Sequence, residues 1–124
     1  MRVLLLGGSG MIGHRLWSSL AKDNEVLGTV RRSELGLLKE FPTIKNSNHI
    51  TNLDVTDIDM VESVATEFNP DFIINCAGIV KQHPDCSDRV KTINLNSLIP
   101  NKLEIVAKKT NSKLILMSTD CVFV

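Results

Sequence analysis

Residues 3–13 read VLLLGGSGMIG, a continuous apolar run that passes directly into a cluster of glycines. The run Val3–Leu6 is typical of a strand buried on both faces, because such a strand has no need of polar alternation. After the glycines, apolar residues recur at helical spacing at Met11, Ile12, Leu16 and Leu20. The stretch therefore predicts a strand, a tight turn and an amphipathic helix in immediate succession.

The glycines have the spacing G-x-x-G-x-x-G at Gly7, Gly10 and Gly13. Gly7 can adopt the positive φ of a tight turn, Gly10 lets a ligand approach the backbone, and Gly13 allows the helix to pack closely on the sheet. The N–H groups of Gly10, Met11 and Ile12 then point outward at the positive end of the helix dipole. We predict a turn that binds the diphosphate of a dinucleotide; the alternative is that the glycines serve only the turn.

Short apolar runs alternate with helical patterns along the rest of the chain. Strands are predicted at Val26–Val30, His49–Leu53, Phe72–Ile74 and Leu114–Met117, and helices near Glu34–Phe41, Ile58–Phe68 and Asp85–Lys109. Pro100 lacks the N–H that a helix interior needs, which predicts an interruption near Asn96–Pro100. Right-handed crossovers make this order a Rossmann-type α/β fold, a doubly wound parallel sheet of about five strands with helices on both faces.

The composition limits the classes of partner. The chain has 124 residues, 43% of them apolar and 23% charged, and a formal net charge of zero. We expect a single domain over residues 1–124, with no nucleic-acid or membrane partner. No apolar run approaches the roughly 20 residues that span a bilayer. The three cysteines (Cys76, Cys86 and Cys121) form no Cys-x-x-Cys pair, so we predict no metal site and a reducing, cytoplasmic location.

The residues after the second strand bear on the choice of cofactor. An acidic residue there would hydrogen-bond the ribose 2′-hydroxyl of NAD, but the sequence has Arg31-Arg32 instead. Two guanidinium groups favour a 2′-phosphate, because arginine forms forked contacts with phosphate oxygens. We therefore predict that NADP(H) is favoured over NAD(H); the alternative is that both arginines are simply solvated.

Further polar and small residues follow the other strands. Asp54-Val55 follows the third strand, Cys76-Ala77-Gly78 the fourth and Ser118-Thr119-Asp120 the fifth. A carboxylate at Asp54 can accept from an adenine amino group, and small residues after the fourth strand leave room for a ribose. Taken singly, each has a structural explanation. Because ligands of open α/β sheets bind along the carboxyl edge, we predict that they contribute together to one site.

These motifs, with Asn94 and the segment Ser118–Phe123, resemble the extended short-chain dehydrogenase/reductases, in particular the dTDP-4-dehydrorhamnose reductase-like members. The resemblance implies a dinucleotide cofactor and a keto-sugar nucleotide as the substrate of the full-length parent. It also implies that the catalytic hydroxyl of Thr119 hydrogen-bonds the substrate carbonyl and that Asn94 supports the active site.

Two features depart from that family. Cys121 stands where the rhamnose reductases have tyrosine, and the chain contains no tyrosine at all. The chain also stops before the Tyr-x-x-x-Lys helix that supplies the family's proton donor.

Two interpretations stay open: the cofactor-binding part of a sugar-nucleotide reductase, inactive alone, or a non-catalytic nucleotide-binding or regulatory module. The apolar end Val122–Val124 and an open sheet edge also make a homo-oligomer plausible.

Overall fold

The structure, a computed structural model, describes residues 1–33, 36 and 48–118. The short helix predicted near Glu34–Phe41 lies outside these residues apart from Gly36, and so does Thr119. The strands are β1 (Arg2–Leu6), β2 (Glu25–Thr29), β3 (His49–Ile50), β4 (Phe72–Asn75) and β5 (Lys113–Leu116). They form one sheet in the order β3-β2-β1-β4-β5, and all pairs are parallel. This order, with β1 at the centre, confirms the predicted Rossmann-type fold.

Helices connect the strands and cover the sheet. They are α1 (Met11–Leu20), α2 (Ile58–Phe68), α3 (Arg89–Ile93) and α4 (Ile99–Lys109). A 3₁₀ turn at Pro84–Ser87 precedes α3, and a π-helical turn at Asn94–Leu98 joins α3 to α4. In the described chain no helix is both long enough and apolar enough to cross a membrane.

The side chains of β1 alternate between two cores. Leu4 and Leu6 are fully buried in a cluster with residues of α2 and α4. Val3 and Leu5 pack on the opposite face with Trp17 of α1. Helices therefore lie on both faces of the sheet, as predicted, and the apolar run of β1 is explained because neither of its faces meets water.

Trp17 fills the space between α1 and the sheet. Its side chain is 1% exposed, and in the described chain its indole N–H has no acceptor within hydrogen-bonding reach. A Cβ at Gly28 in β2 would overlap the Trp17 ring, and a Cβ at Gly8 would lie 2.7 Å from it. Close packing against these two glycines therefore holds the largest aromatic ring of the core.

The predicted third strand is shorter than expected. Regular pairing ends at Ile50, whereas the sequence indicated a strand to Leu53. Asn52 has a φ of 56°, in the left-handed region that asparagine tolerates better than most residues. The N–H of Leu53 then donates a hydrogen bond to the carbonyl of Val30, directly after β2. The predicted C-terminal end of the strand was therefore wrong, because the left-handed backbone at Asn52 ends the regular pairing.

The predicted long helix at Asp85–Lys109 is divided. Its α-helical part begins at Arg89, because the Asp88 carboxylate accepts from the Lys91 N–H at 3.1 Å and caps α3. The interruption overlaps the predicted one at Asn96–Pro100 but begins two residues earlier: it is a π-helical turn at Asn94–Leu98, and the chain stays helical through it. Pro100 then occupies the first turn of α4, where its missing N–H costs least.

The outer strand β5 exposes apolar side chains. Ile115 and Leu116 are 41% and 45% exposed, and β5 has a strand neighbour on one side only within the described sheet. An open edge of this kind can pair with another chain. Self-association through this edge stays a prediction.

The packing of Trp17 predicts the effect of one added methyl group. Gly28→Ala should lower the free energy of unfolding by about 1–3 kcal/mol, because the new Cβ overlaps a ring that cannot move without disturbing the core. Gly10→Ala is the matched control: in the described chain its Cβ would meet only the Gly7 carbonyl oxygen, at 3.4 Å, so its cost should be limited to the preference for glycine over alanine at an N-cap, about 0.5–1 kcal/mol. Urea unfolding, followed by the fluorescence of the single tryptophan, measures both. Equal stabilities would contradict this packing.

Candidate functional site

The glycine-rich turn is held against two neighbouring strands. Gly7 has a φ of +78°, as predicted, and a Cβ there would lie 2.8 Å from the backbone nitrogen of Ala77. The N–H of Gly8 donates to the carbonyl of Thr29 at 2.9 Å, which ties the turn to the end of β2. The turn therefore requires glycine at position 7 both for its backbone angle and for its contact with the segment that follows β4.

Gly13 allows close packing, but its partner differs from the predicted one. A Cβ at Gly13 would overlap the carbonyl oxygen of Gly7 and lie 3.1 Å from the Cα of Gly8. The first turn of α1 is thus packed against the glycine-rich turn itself, whereas the sequence indicated contact with the sheet. The start of α1 therefore lies in direct backbone contact with the turn.

The start of α1 has free space in front of it. Gly10 is the N-cap, with φ −74° and ψ 164°; no side chain in the described part of the molecule caps the helix, and its first turn contains no acidic residue. The first helical bond runs from the His14 N–H to the Gly10 carbonyl. The side chains of Met11 and Ile12 are 82% and 45% exposed. In contrast, Asp57 caps α2 by accepting from the Met60 N–H at 3.1 Å. The uncapped, positive end of α1 is therefore available to an anion.

A cleft of about 600 Å³ lies beside this turn. The sheet register places Leu6 level with Asn75, and Asn75 level with Leu116, so the carboxyl ends of the strands meet at one edge. Ten of the predicted residues line the cleft: Gly7, Gly10, Arg31, Arg32, Asp54, Val55, Cys76, Ala77, Gly78 and Asn94. Met11, Ile12 and Gly13 follow Gly10 directly in the chain and are not among the residues that line the cleft. The Gly10 N–H was predicted to point outward, and this was wrong: it donates to the Gly7 carbonyl at 3.1 Å and so closes the turn.

The sequence analysis missed further lining residues. They are Ser9, Thr29, Leu53, Thr56, Ile79, His83, Asp85, Lys91 and Leu95. Thr29 ends β2, and Thr56 lies two residues beyond Asp54, so a survey of every strand end could have found them. The 3₁₀ turn that carries Asp85 has no comparable signal. Ser118 follows β5 and is exposed, and Thr119 lies outside the described residues.

The carboxyl group of Asp54 is held in its charged form. Burial raises the pKa of Asp54, but Oδ1 accepts from the Thr56 N–H at 2.9 Å and from its hydroxyl at 2.7 Å, and Arg31 adds a positive charge. Together these lower the pKa below its ordinary value of 3.8. The β2 end of the cleft therefore combines a fixed carboxylate with two guanidinium groups.

Other titratable side chains also lie in the wall and at the rim of the cleft. Burial raises the pKa of the Cys76 thiol, which keeps it neutral and disfavours a nucleophilic role. At the rim, Nδ1 of His83 accepts from the Asp85 N–H at 3.1 Å, so in the neutral ring the proton lies on Nε2. The Lys91 ammonium lies 3.3 Å from the Asp85 carboxylate and 3.9 Å from that of Asp88.

Two asparagines of the π-helical turn have different positions. Asn94, chosen from the sequence, lines the cleft. Asn96, which the sequence analysis did not single out, bonds to both backbone groups of Ile79. No sequence motif distinguishes Asn96 from other helical asparagines, because its partner is 17 residues away in the chain.

The contacts of Asp54 predict how its titration responds to substitution. Thr56→Val removes the hydroxyl donor and should raise the pKa of Asp54 toward 3.8, as measured by NMR titration of the carboxyl carbon. Thr66→Val is the control, since that hydroxyl bonds to the Glu62 carbonyl.

The lowered pKa of Asp54 also determines how the stability of the fold changes with pH. Because the folded pKa is lower than the unfolded one, Asp54 stabilises the fold above about pH 4 and loses this contribution as the pH falls through its folded pKa. Thr56→Val should therefore show a smaller acid-dependent loss of stability. An unchanged pKa in Thr56→Val would contradict the assignment of the hydroxyl bond.

Comparisons with known structures give the same architecture. L-threonine dehydrogenase from Clostridium difficile is 25% identical, with a TM-score of 0.82 over 95% of this chain. A hypothetical dTDP-4-dehydrorhamnose reductase from Sulfolobus tokodaii is 27% identical, with a TM-score of 0.77 over 99%. UDP-glucose 4-epimerase from Thermus thermophilus, in complex with NAD, is 27% identical, with a TM-score of 0.75 over 92%. The chain spans 36%, 41% and 36% of the lengths of these three structures, respectively.

The family assignment rests on nearly the whole sequence. None of the curated proteins compared with the chain matches it significantly. Residues 3–123, however, match the NAD dependent epimerase/dehydratase family. The match begins within β1 and includes the glycine-rich turn and every strand end that lines the cleft. The chain therefore belongs to the NAD dependent epimerase/dehydratase family, whose fold binds a nicotinamide dinucleotide.

Proposed function

We propose that this chain holds NADPH in the cleft beside Gly10 and forms the cofactor-binding part of an oxidoreductase that acts on a keto-sugar nucleotide. The observation that carries the proposal is the start of α1, which has neither a side-chain cap nor an acidic residue in its first turn. Because a Cβ at Gly10 would meet only one atom of the described chain, at 3.4 Å, a diphosphate has space to approach the backbone. The N–H groups of Met11 and Ile12 then neutralise its charge.

The adenosine end of the cleft favours a 2′-phosphate. Arg31 and Arg32 both line the cleft and are exposed. The residues directly after β2, Val30-Arg31-Arg32, include no acidic side chain that would bind a free 2′-hydroxyl. Forked guanidinium contacts suit a phosphate, and each such charge-assisted bond contributes about 1.5–3 kcal/mol. Asp54, held ionised, would accept from the adenine amino group.

The opposite end of the cleft suits the nicotinamide side. Cys76, Ala77 and Gly78 are small and leave room for a ribose against the backbone, and Asn94 lines the same cleft. When bound, NADPH supplies the hydride that reduces a keto carbon. By the resemblance stated above, Thr119 would hydrogen-bond the substrate carbonyl and orient it for that transfer.

The substrate class rests on similarity to known structures. Two of the solved structures that are 27% identical to this chain carry the names of sugar-nucleotide enzymes, a dTDP-4-dehydrorhamnose reductase and a UDP-glucose 4-epimerase. These names favour a keto-sugar nucleotide. Since the chain spans only 36–41% of their lengths, the activity of the whole protein is part of the proposal.

Calorimetric titration with NADP⁺ and NAD⁺ tests the cofactor assignment. We expect the wild-type chain to bind NADP⁺ more tightly. The double variant Arg31→Ala/Arg32→Ala should lose at least about tenfold in NADP⁺ affinity while NAD⁺ affinity changes little, because only NADP⁺ carries the 2′-phosphate. Gly10→Val should instead weaken both dinucleotides, because its side chain enters the space in front of α1.

A control separates these effects from overall charge. Lys22→Ala removes a positive charge beyond the opposite end of α1 and should leave both affinities within about twofold. Failure of the wild-type chain to bind either dinucleotide would contradict the proposed function. Binding with an unchanged NADP⁺ to NAD⁺ ratio in the double variant would contradict the NADPH assignment alone.

A further inference from the structure

The 3₁₀ turn Pro84–Ser87 begins with a histidine that lines the rim of the cleft. His83 is the N-cap of the turn, and Nδ1 of its ring accepts from the Asp85 N–H at 3.1 Å. Because Nδ1 is the acceptor, the proton of the neutral ring lies on Nε2. His83 is half-buried, and among the described residues its ring makes only this hydrogen bond. The imidazole therefore has a donor, Nε2–H, for which the described chain supplies no acceptor.

Asp85 and Lys91 add charged groups of both signs beside this histidine. Both residues line the cleft, and the Lys91 ammonium lies 3.3 Å from the Asp85 carboxylate and 3.9 Å from that of Asp88. Lys91 precedes Asn94, another lining residue, by three positions, so both lie on the face of the helix that borders the cleft. The rim therefore places a carboxylate acceptor, an ammonium group and an imidazole donor along one side of the cleft.

The charge of the rim favours a neutral ligand group over an anion. Its two carboxylates and single ammonium leave one net negative charge, whereas Arg31 and Arg32 supply the positive charge that suits a phosphate at the β2 end. A hydroxyl group both donates and accepts hydrogen bonds, so a pair of neighbouring hydroxyls can use a donor and a carboxylate together. Carboxylates accept from ribose hydroxyls in other dinucleotide-binding folds. A sugar ring therefore fits this rim better than a phosphate does.

We propose that His83 and Asp85 form a subsite for two neighbouring hydroxyl groups of a sugar ring: Nε2–H of His83 donates to one hydroxyl oxygen, and the Asp85 carboxylate accepts from the other hydroxyl. The bond from the Asp85 N–H to Nδ1 joins the two residues and sets the tautomer that the subsite needs. The inference rests on the proposed function, because the ring belongs to a ligand of the same cleft. Two rings have this chemistry, the nicotinamide ribose of the cofactor and the hexose of a sugar nucleotide.

Two variants of His83 separate its role as a cap from its role as a donor. In His83→Asn, Oδ1 can still accept from the Asp85 N–H, since asparagine is a good N-cap, but the amide is too short to reach the position of Nε2. In His83→Gln, the longer amide can place a donor near that position, but the cap is lost. Gln82→Ala is the control, because that exposed neighbour does not line the cleft.

Calorimetric titrations with two probes identify the ring. The probes are NADP⁺ with the free chain and UDP-glucose with the NADP⁺-saturated chain, at about pH 8, where an imidazole is ordinarily neutral. We expect His83→Asn to weaken one probe about three- to tenfold, the loss of one hydrogen bond, and Gln82→Ala to stay within about twofold. A loss for NADP⁺ identifies the ribose, and a loss confined to UDP-glucose identifies the hexose. Asp85→Ala should weaken the same probe, and His83→Gln should bind it more tightly than His83→Asn does.

The ring nitrogens of His83 give a second measurement that capping alone would not change. In ¹H–¹⁵N NMR spectra of the free chain, we expect a protonated Nε2 and an unprotonated Nδ1. The probe that His83→Asn weakens should shift the Nε2 signal of the wild-type chain as the new hydrogen bond forms. The Nδ1 signal should change little, because its bond to the Asp85 N–H is present with and without the ligand.

The outcomes separate the two claims. Weaker binding of one probe by His83→Asn, with normal binding by Gln82→Ala and a shifted Nε2 signal, supports the inference. Unchanged NADP⁺ affinity in His83→Asn overturns it if UDP-glucose binds equally well or is not bound by the wild-type chain, and the proposed function stays intact. Loss of cooperative unfolding in both His83 variants also overturns it, because the residue would then serve folding alone. A wild-type chain that binds no dinucleotide overturns the proposed function, and this inference with it.

Discussion

The contact between the first turn of α1 and the glycine-rich turn determines the geometry of the N-terminal half of the molecule. No side-chain atom fits between Gly13 and the carbonyl of Gly7, which also accepts from the Gly10 N–H at 3.1 Å, so the helix start and the turn are in direct backbone contact. Trp17, one turn further along α1, anchors the same helix to the sheet by packing against Gly28. Both contacts are possible only because glycine, at positions 13 and 28, has no side chain. They place the uncapped, positive end of α1 at the carboxyl edge of the sheet.

The parallel sheet brings distant parts of the sequence to that edge. Each strand ends at the same level as its neighbour, so Asp54, the segment 76–79 and Asn94 meet around one cleft although they are far apart in the chain. Their chemistry differs along its length. Asp54 and the two arginines lie at the β2 end, whereas small and amide residues lie at the β4 end, with the ion pair of Asp85 and Lys91 at the rim. The proposed NADPH would place its phosphorylated ribose at the first of these ends and its nicotinamide ring at the second.

The fold and much of the cleft could be predicted because they depend on local patterns. The apolar run of β1, the glycine spacing and the buried face of α2 at Val61, Ala65 and Phe68 follow from burial and backbone geometry. Features that depend on long-range contacts could not be predicted. Asn52 ends β3 with a left-handed backbone that its sequence context does not reveal. The hydrogen bonds of Asn96 depend on a partner 17 residues away, and the contact of Gly13 with Gly7 depends on how the turn folds back.

Backbone NMR during a titration with NADP⁺ tests most directly whether the start of α1 binds the diphosphate. The account predicts that the amide protons of Met11, Ile12 and Gly13 shift downfield as they form charge-assisted hydrogen bonds, with one common affinity. The amide of Met60, already bonded to the Asp57 cap of α2, should not shift. Binding of the dinucleotide with no change at residues 11–13 would contradict the account.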